Sequence, residues 1–541
     1  MNFSKFSALF GAATLLYGCA NAQTTTQFAS GVVFHDKNNN RKRDANEKGL
    51  PNVAVSNQRD IVRTDAEGRY RLAVTDDTAL FVVKPRGWMT PLDKNKLPQF
   101  YYLHKPNGSP KSKYPGVAPT GPLPASVDFP LTPQNEPDQF RALLFGDPQP
   151  RNEQEIDYIY RDVVQELIGI KAAFGVSLGD VVFNDLSLYP SLNSKIALIG
   201  IPWYNVIGNH DLNFDSPDDD HSDETFEKHF GPNYYSFDYG PTHFMVLDDV
   251  TWLGAVPGGT GAQFGGKYRG GLGAQQLAWI KNDLAQIPAD QMVVLFMHIP
   301  LVDPADINKK ARPEVERFHS AERKQLWELL EKRPATLSIS AHTHFQEHKF
   351  VGPDEGWNGP EKHHHVINVT VSGSWWSGAP DERGIPHTTM RDGAPNGYSF
   401  LNFDGKKYWI DYRAAGRFAD YQMNIYAPIQ INVADSAKTE VLVNVFAGSE
   451  RSKVQMKVDD GAWQPLQWAP QEDPVFRAWK AREAQEGNKV PGRALPGIIQ
   501  SPHIWAGNLP PNLAPGEHTI HVQTTDLWGK THNAQQKISV R

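Results

Sequence analysis

The stretches Ala142-Leu143-Leu144-Phe145-Gly146-Asp147-Pro148-Gln149 and Ala173-Phe174-Gly175-Val176-Ser177-Leu178-Gly179-Asp180 decide the fold. Each is a short apolar run, too short for a buried helix, that ends in glycine and aspartate, so each reads as a buried strand running into a polar turn. Between them, residues 153–168 carry apolar side chains at helical spacing. The alternation continues outward through strands at 203–207 and 244–247, a helix at 274–284, a strand at 292–297, a helix at 321–331 and a strand at 336–340. Such alternation predicts an α/β layered domain. Strands at 366–371, 398–403 and 407–412 add antiparallel character, which places the whole domain at 139–416.

The flanks read differently. From 23 to 97 short alternating strands separated by turn residues predict a β-sandwich, and 417–541 predicts a second one, largely free of helix. Residues 98–138 hold ten prolines, and a stretch so poor in backbone donors is expected to be an extended linker lying on the next domain. The chain is therefore multidomain. At 541 residues it exceeds one ordinary core, and 40% hydrophobic with 21% charged residues excludes wholesale disorder. A net charge of -7 supplies no basic field for a polyanion, so no nucleic-acid partner is expected.

Residues 1–22 read as an export signal: Lys5, an apolar stretch at 6–17, and Ala20-Asn21-Ala22 as small residues for cleavage. The 16–19 stretch, Leu-Tyr-Gly-Cys, also resembles a lipoprotein lipobox, and Cys19 is the single cysteine. Cleavage after Ala22 and lipidation at Cys19 both stay open. The expected location is periplasmic, outer-membrane lipoprotein or secreted, with membrane attachment only through a lipid on Cys19. No disulfide can form within the chain.

Chemistry-bearing residues follow five strands of the central domain: Asp147 and Gln149, Asp180, Asn209-His210-Asp211, His298, and His342 with His344. In an open α/β sheet, loops at the carboxyl ends of strands converge on one crevice. Asp180 is positioned to bridge two cations, with Asp147, Gln149 and His344 completing one site and Asn209, His298 and His342 the other. Carboxylate, amide oxygen and imidazole suit manganese, iron or zinc. Any one of these residues alone would read as a cap or turn residue. Jointly, with spacings of 33, 29, 89 and 44 residues from Asp147 through Asp180, Asn209 and His298 to His342, they read as ligands to divalent metal.

This order of motifs resembles the calcineurin-like metallophosphoesterases over 139–416, and the flanking β-domains resemble those of exported bacterial members. The segments Arg391-Asp392-Gly393-Ala394-Pro395-Asn396-Gly397-Tyr398 and Ser501-Pro502-His503-Ile504-Trp505 carry that narrower likeness. The resemblance implies a four-layer αββα domain flanked by two β-sandwiches. It also implies two divalent ions and hydrolysis of a small phosphate ester by a metal-bridged hydroxide, with His210 as general acid. The chain departs from the family at Gln149, where a histidine is usual; a neutral oxygen donor there favours manganese or magnesium over zinc. Phe183 stands where an aspartate usually orients the catalytic histidine, so Asp211 or Asp185 is considered for that role.

Four residues, Arg383, His387, Arg391 and Tyr398, together with Trp375 and Trp376, are candidates for the pocket mouth, with loop packing as the equal alternative. His363-His364-His365 reads as a solvated strand edge. Asp36, Asn38, Asn40, Asp44 and Glu47 match positions 1, 3, 5, 9 and 12 of a calcium-loop template, although Arg41 replaces its glycine; bound calcium and a polar turn both remain open. The reading of a different class is a surface binding or adhesion protein built on a catalytically dead scaffold.

Overall fold

A computed structural model describes residues 27–255, 266–302, 318–486 and 491–541. The expected export segment and Cys19 lie outside these residues. Among the described residues no helix is long and apolar enough to cross a membrane.

The central domain is built on two sheets. The first has the order Trp203–Val206, Phe174–Leu178, Gln139–Phe145, Gly397–Asp404, Lys407–Ala414, with the first three strands parallel and the last two antiparallel. The second runs Tyr235–Tyr239, Thr242–Val246, Met292–Phe296, Thr336–Ser340, His363–Ile367, Glu347–Val351; its inner four are parallel and both edges antiparallel. Aromatic side chains join the sheets: Phe174 of the first meets Phe244 of the second edge to face at 5.1 Å. The helix Glu153–Ile159, capped by Asn152 Oδ1 on the Glu155 N–H, packs with Tyr189–Ile196 on one side. Gly273–Leu284 and Ser320–Leu330 pair on the other. The architecture is four-layer αββα, as expected.

The amino-terminal sandwich has sheets ordered Arg69–Val74, Gln27–His35, Phe129–Pro133, Trp88–Met89 and Ile61–Arg63, Ala54–Ser56, Thr78–Val82, Tyr101–His104. The segment 98–138 thus differs from a plain linker. Its two ends are strands of this sandwich, Tyr101–His104 paired with Thr78–Val82 and Phe129–Pro133 paired with Gln27–His35 and Trp88–Met89. The stretch between them does lie on the central domain, where Ser112 Oγ donates to Asp215 at 2.6 Å and the Lys105 ammonium meets Glu224 and Glu227 at 2.7 and 2.9 Å. The buried Lys84 ammonium forms a second tie, meeting Glu136 at 2.6 Å and donating to the Asp238 carbonyl of the central domain at 2.7 Å. The two domains share one continuous apolar core.

The carboxy-terminal domain has its own core between a sheet containing Met423–Tyr426, Glu440–Val445 and Ile504–Asn508 and one containing Lys453–Val458, Gly516–Thr525 and Thr531–Val540. It is not free of helix: Pro474–Glu486 is inserted between two of its strands. The calcium-template loop closes on itself. The two Asp36 oxygens accept the N–H groups of Asn40 and Arg41, those of Glu47 accept Lys37 and Asp44, and the amides of Asn38 and Asn40 donate to Asp44.

Candidate active site

The five expected loops meet at the carboxyl ends of the parallel strands, and they do so through unusual backbone. Asp147, Gln149, Asp180, His342 and His344 all have left-handed φ, between 37° and 68°, a conformation that costs a non-glycine residue on the order of 1 kcal/mol or more and clusters at functional sites. Close approach also needs glycine: a Cβ on Gly179 would stand 2.4 Å from His298 Nδ1, and one on Gly208 would stand 2.0 Å from the Asp180 amide.

Asp180 is at the centre. Its Oδ1 lies 3.2 Å from His298 Nε2 and accepts the His210 N–H at 2.8 Å; its Oδ2 accepts from Gln149 Nε2 at 2.8 Å. On one side His298 Nε2 stands 3.1 Å from both Asn209 Oδ1 and His342 Nδ1. The other His298 nitrogen donates to the Leu178 carbonyl at 2.9 Å, which turns Nε2 into the site. On the other side His344 donates from Nδ1 to the Gly373 carbonyl at 2.6 Å and turns Nε2 toward Asp147 Oδ1, 3.7 Å away.

The donor set fits divalent metal. Asp147 Oδ1 and Gln149 Oε1 are buried acceptors with no hydrogen-bond partner, atoms that folded proteins rarely leave unsatisfied. Asp180, His298 and His342 bring one ligand atom each within 4.8 Å of one another. A similar group at Asp77, His221 and Glu224 lies where the Lys105 ammonium already meets Asp77 and Glu224, at 2.9 and 2.7 Å. The carboxylates also shape the imidazoles: burial opposes the charged form of His298, but Asp180 and Asp147 outweigh it and raise its pKa to about 10. Burial alone dominates at His344, lowering it to about 3.

His210, the expected general acid, is fixed by three neighbours. Its ring stacks on Phe183 at 4.3 Å, Nδ1 donates to Asn184 Oδ1 at 2.5 Å, and Nε2 faces Asp180 Oδ2 at 4.0 Å. The orienting group is therefore Asn184, in place of the expected Asp211 or Asp185. Asp211 instead accepts the N–H groups of Val181, Val182 and Gly208 at 2.9–3.2 Å and the Tyr189 hydroxyl at 3.0 Å. Asp185 caps the next turn through Ser187. In sequence Asn184 stood directly beside the position where an aspartate is usual; its left-handed φ of 63° is what turns it onto the ring.

Above the metal residues is a cavity of about 200 Å³ whose walls include Tyr268, Phe345, Trp375 and Arg391. Trp375 lies flat on His344 at 3.8 Å. Of the four residues considered for the mouth, Arg391 is there. Arg383 is held by Asp162 and Asp381, His387 packs on Trp479, and Tyr398 is buried in the first sheet. The His363-His364-His365 run is no solvated edge but a fully buried strand, because Thr336, Ser338 and Ser340 on the neighbouring strand satisfy His363 and His365 while His348 and Tyr408 satisfy His364.

A sheet pair whose strand ends gather carboxylates, amides and imidazoles in two abutting sets defines a metallophosphoesterase site. The family models agree: residues 140–346 match Calcineurin-like phosphoesterase, 36–114 match N terminal of Calcineurin-like phosphoesterase, and 365–532 match C terminal of Calcineurin-like phosphoesterase. The chain belongs to the calcineurin-like phosphoesterase family, and it is a metal-dependent phosphoric ester hydrolase. Among solved structures it is similar to a purple acid phosphatase from yellow lupin (Lupinus luteus) seeds, 15% identical over 67% of each chain with a TM-score of 0.38. No curated protein sequence matches it significantly.

Proposed function

We propose that this chain is an exported phosphoesterase that works with two divalent ions on a small phosphate ester. The observation that carries the reading is Asp180, whose two oxygens face separate donor sets, Gln149 on one side and His298 on the other. Asp147, Gln149, Asp180 and His344 would hold one ion, and Asp180, Asn209, His298 and His342 the other. Ions held there neutralise phosphoryl charge and acidify a water. The protein's part is positional: the Leu178 and Gly373 carbonyls fix the tautomers of His298 and His344. His210, clamped by Phe183 and Asn184, delivers a proton from Nε2 to the departing oxygen. Export is supported by the apolar stretch and the small residues at 20–22.

Metal-free protein reloaded with manganese, iron, zinc or magnesium should release nitrophenol from nitrophenyl phosphate or its bis-ester, with two ions per chain at full activity. Full activity with one ion would refute the two-ion reading. Mass analysis of the native amino terminus tests export, because Gln23 or a lipid-bearing Cys19 should be first. An intact Met1 would overturn it.

A further inference from the structure

The two segments 391–398 and 501–505 are far apart in sequence and belong to different domains, yet they meet in a buried polar network. Asp392 and His503 are both fully buried, with His503 Nε2 donating to Asp392 Oδ2 at 3.0 Å. His503 Nδ1 donates to Asn444 Oδ1 at 2.7 Å, and Asn444 in turn donates to the Asp392 carbonyl and to Asp473, both at 2.9 Å. The same Asp392 oxygen accepts the Gln346 N–H at 2.8 Å, so the network grips the loop carrying His342 and His344. Gly393 fits closely here, since a Cβ would stand 2.2 Å from the Asp473 carboxyl carbon.

Beside Asp392 stands Arg391, a wall of the cavity over Asp180, His210 and His344. Its N–H reaches the His344 carbonyl at 3.3 Å, and its guanidinium donates from Nε to the carbonyl of Gly497, a carboxy-terminal-domain residue, at 3.0 Å. Two further contacts join the 378–387 segment to the carboxy-terminal domain: Gly378 donates to the Arg493 carbonyl at 2.7 Å, and His387 packs on Trp479 at 4.4 Å between ring centres. A wall needing only cover would be joined to its neighbour by apolar packing. A connected set of buried hydrogen bonds instead fixes direction, because each member has a limited set of satisfactory geometries.

We propose that the carboxy-terminal β-domain is a working part of the active site, which positions Arg391 through the Asp392–His503 pair and Gly497 so that its guanidinium binds a phosphoryl oxygen of the substrate. A planar guanidinium suits a phosphoryl group because its donors match the spacing of the oxygens. A phosphoryl anion entering a cavity floored by Asp180 also gains from cationic contact beyond the ions. Arg391 is a substrate-binding residue in this scheme, and Asp392 and His503 are positioning residues. The inference rests on the phosphoesterase reading.

The test uses full-length, metal-loaded protein with nitrophenyl phosphate as substrate and inorganic phosphate as competitor. Arg391→Gln should raise KM and the phosphate inhibition constant together, roughly tenfold to a hundredfold, while kcat falls much less and bound metal is unchanged. Arg391→Lys should recover only part of the affinity, and added guanidinium should partly rescue Arg391→Gln, which a packing role would not produce. His503→Gln should raise KM in the same direction by several-fold with kcat little changed. If that variant does not fold, Asp392→Asn, which keeps the shape, carries the same test. Unchanged KM and phosphate inhibition in Arg391→Gln would overturn the binding role, and unchanged KM in a folded His503 or Asp392 variant would overturn the positioning role. Wild-type protein without activity under any divalent ion would instead overturn the phosphoesterase reading itself.

Discussion

Replacing Asp180 by asparagine removes one charge and almost no volume, and the surroundings set the size of the loss. Oδ1 accepts the His210 N–H and Oδ2 accepts from Gln149 Nε2, each at 2.8 Å. Whichever way the new amide turns, its NH2 faces a donor, so one hydrogen bond becomes a buried clash of like groups costing about 1–3 kcal/mol. The lost charge adds to this, because removing one member of a buried charged set typically costs about 3–5 kcal/mol. Together these are about 4–8 kcal/mol, and if that energy is lost from the transition state, at about 1.4 kcal/mol per tenfold the rate falls roughly several hundredfold to several hundred thousandfold. The assay is kcat/KM on nitrophenyl phosphate with metal titrated to saturation, paired with metal analysis of the same sample. Asp180→Asn should bind fewer than two ions and stay slow at saturating metal. A variant holding two ions with a rate within tenfold of wild type would refute the reasoning.

Three further outcomes follow from particular contacts. Asn184→Gly, which keeps the left-handed backbone but removes the acceptor at His210 Nδ1, should lower kcat about tenfold for alkyl phosphates and less for nitrophenyl phosphate, and equal losses for both leaving groups would count against His210 as the acid. Gln149→His should tighten zinc relative to manganese, and Gln149→Ala should raise the metal concentration for half-maximal activity; parental behaviour in both variants, read by activity and metal competition, would restrict Gln149 to orienting Asp180. Burial opposes the charged form of His243, but Asp283 and Asp238, at 2.9 and 2.8 Å, overcome it and raise its pKa to about 10. The stability this adds is complete below its ordinary value near 6.5 and disappears as pH rises through 10, so denaturant melts of His243→Gln should show a deficit of about 3–5 kcal/mol at pH 6 that narrows by pH 10, and a deficit independent of pH would refute the assignment.

The succession of strands and helices and the convergence of the five polar loops were legible because both rest on local signals. A run such as Val293 to Phe296 is apolar at every position, and its polar ending has one place to go in a parallel sheet, the carboxyl edge. What was not legible depended on partners distant in sequence. His363, His364 and His365 look like a solvated patch until Ser338 and Ser340 of the neighbouring strand are set beside them. Pro130 and Pro133 argue against a strand by composition, yet Phe129–Pro133 forms one because Val33 and Trp88 sit on either side of it. Arg383, His387, Arg391 and Tyr398 share a loop-rich stretch, and only tertiary contact separates the one on the cavity from the three held elsewhere.

Asp211 shows most clearly how the site's geometry is imposed. Its carboxylate gathers the N–H groups of Val181 and Val182, which follow Asp180, and of Gly208, which precedes Asn209. One side chain thus ties the loop of Asp180 to the loop of Asn209 and His210, and it does so from full burial. The left-handed backbone at Asp147, Gln149, Asp180, His342 and His344 is unfavourable in each loop alone and persists only where such ties over-determine it. The conformation of the ligand loops is therefore a property of the assembled strand ends, and it cannot be read from any one motif. A residue considered from the sequence for orienting His210 instead holds two loops in register.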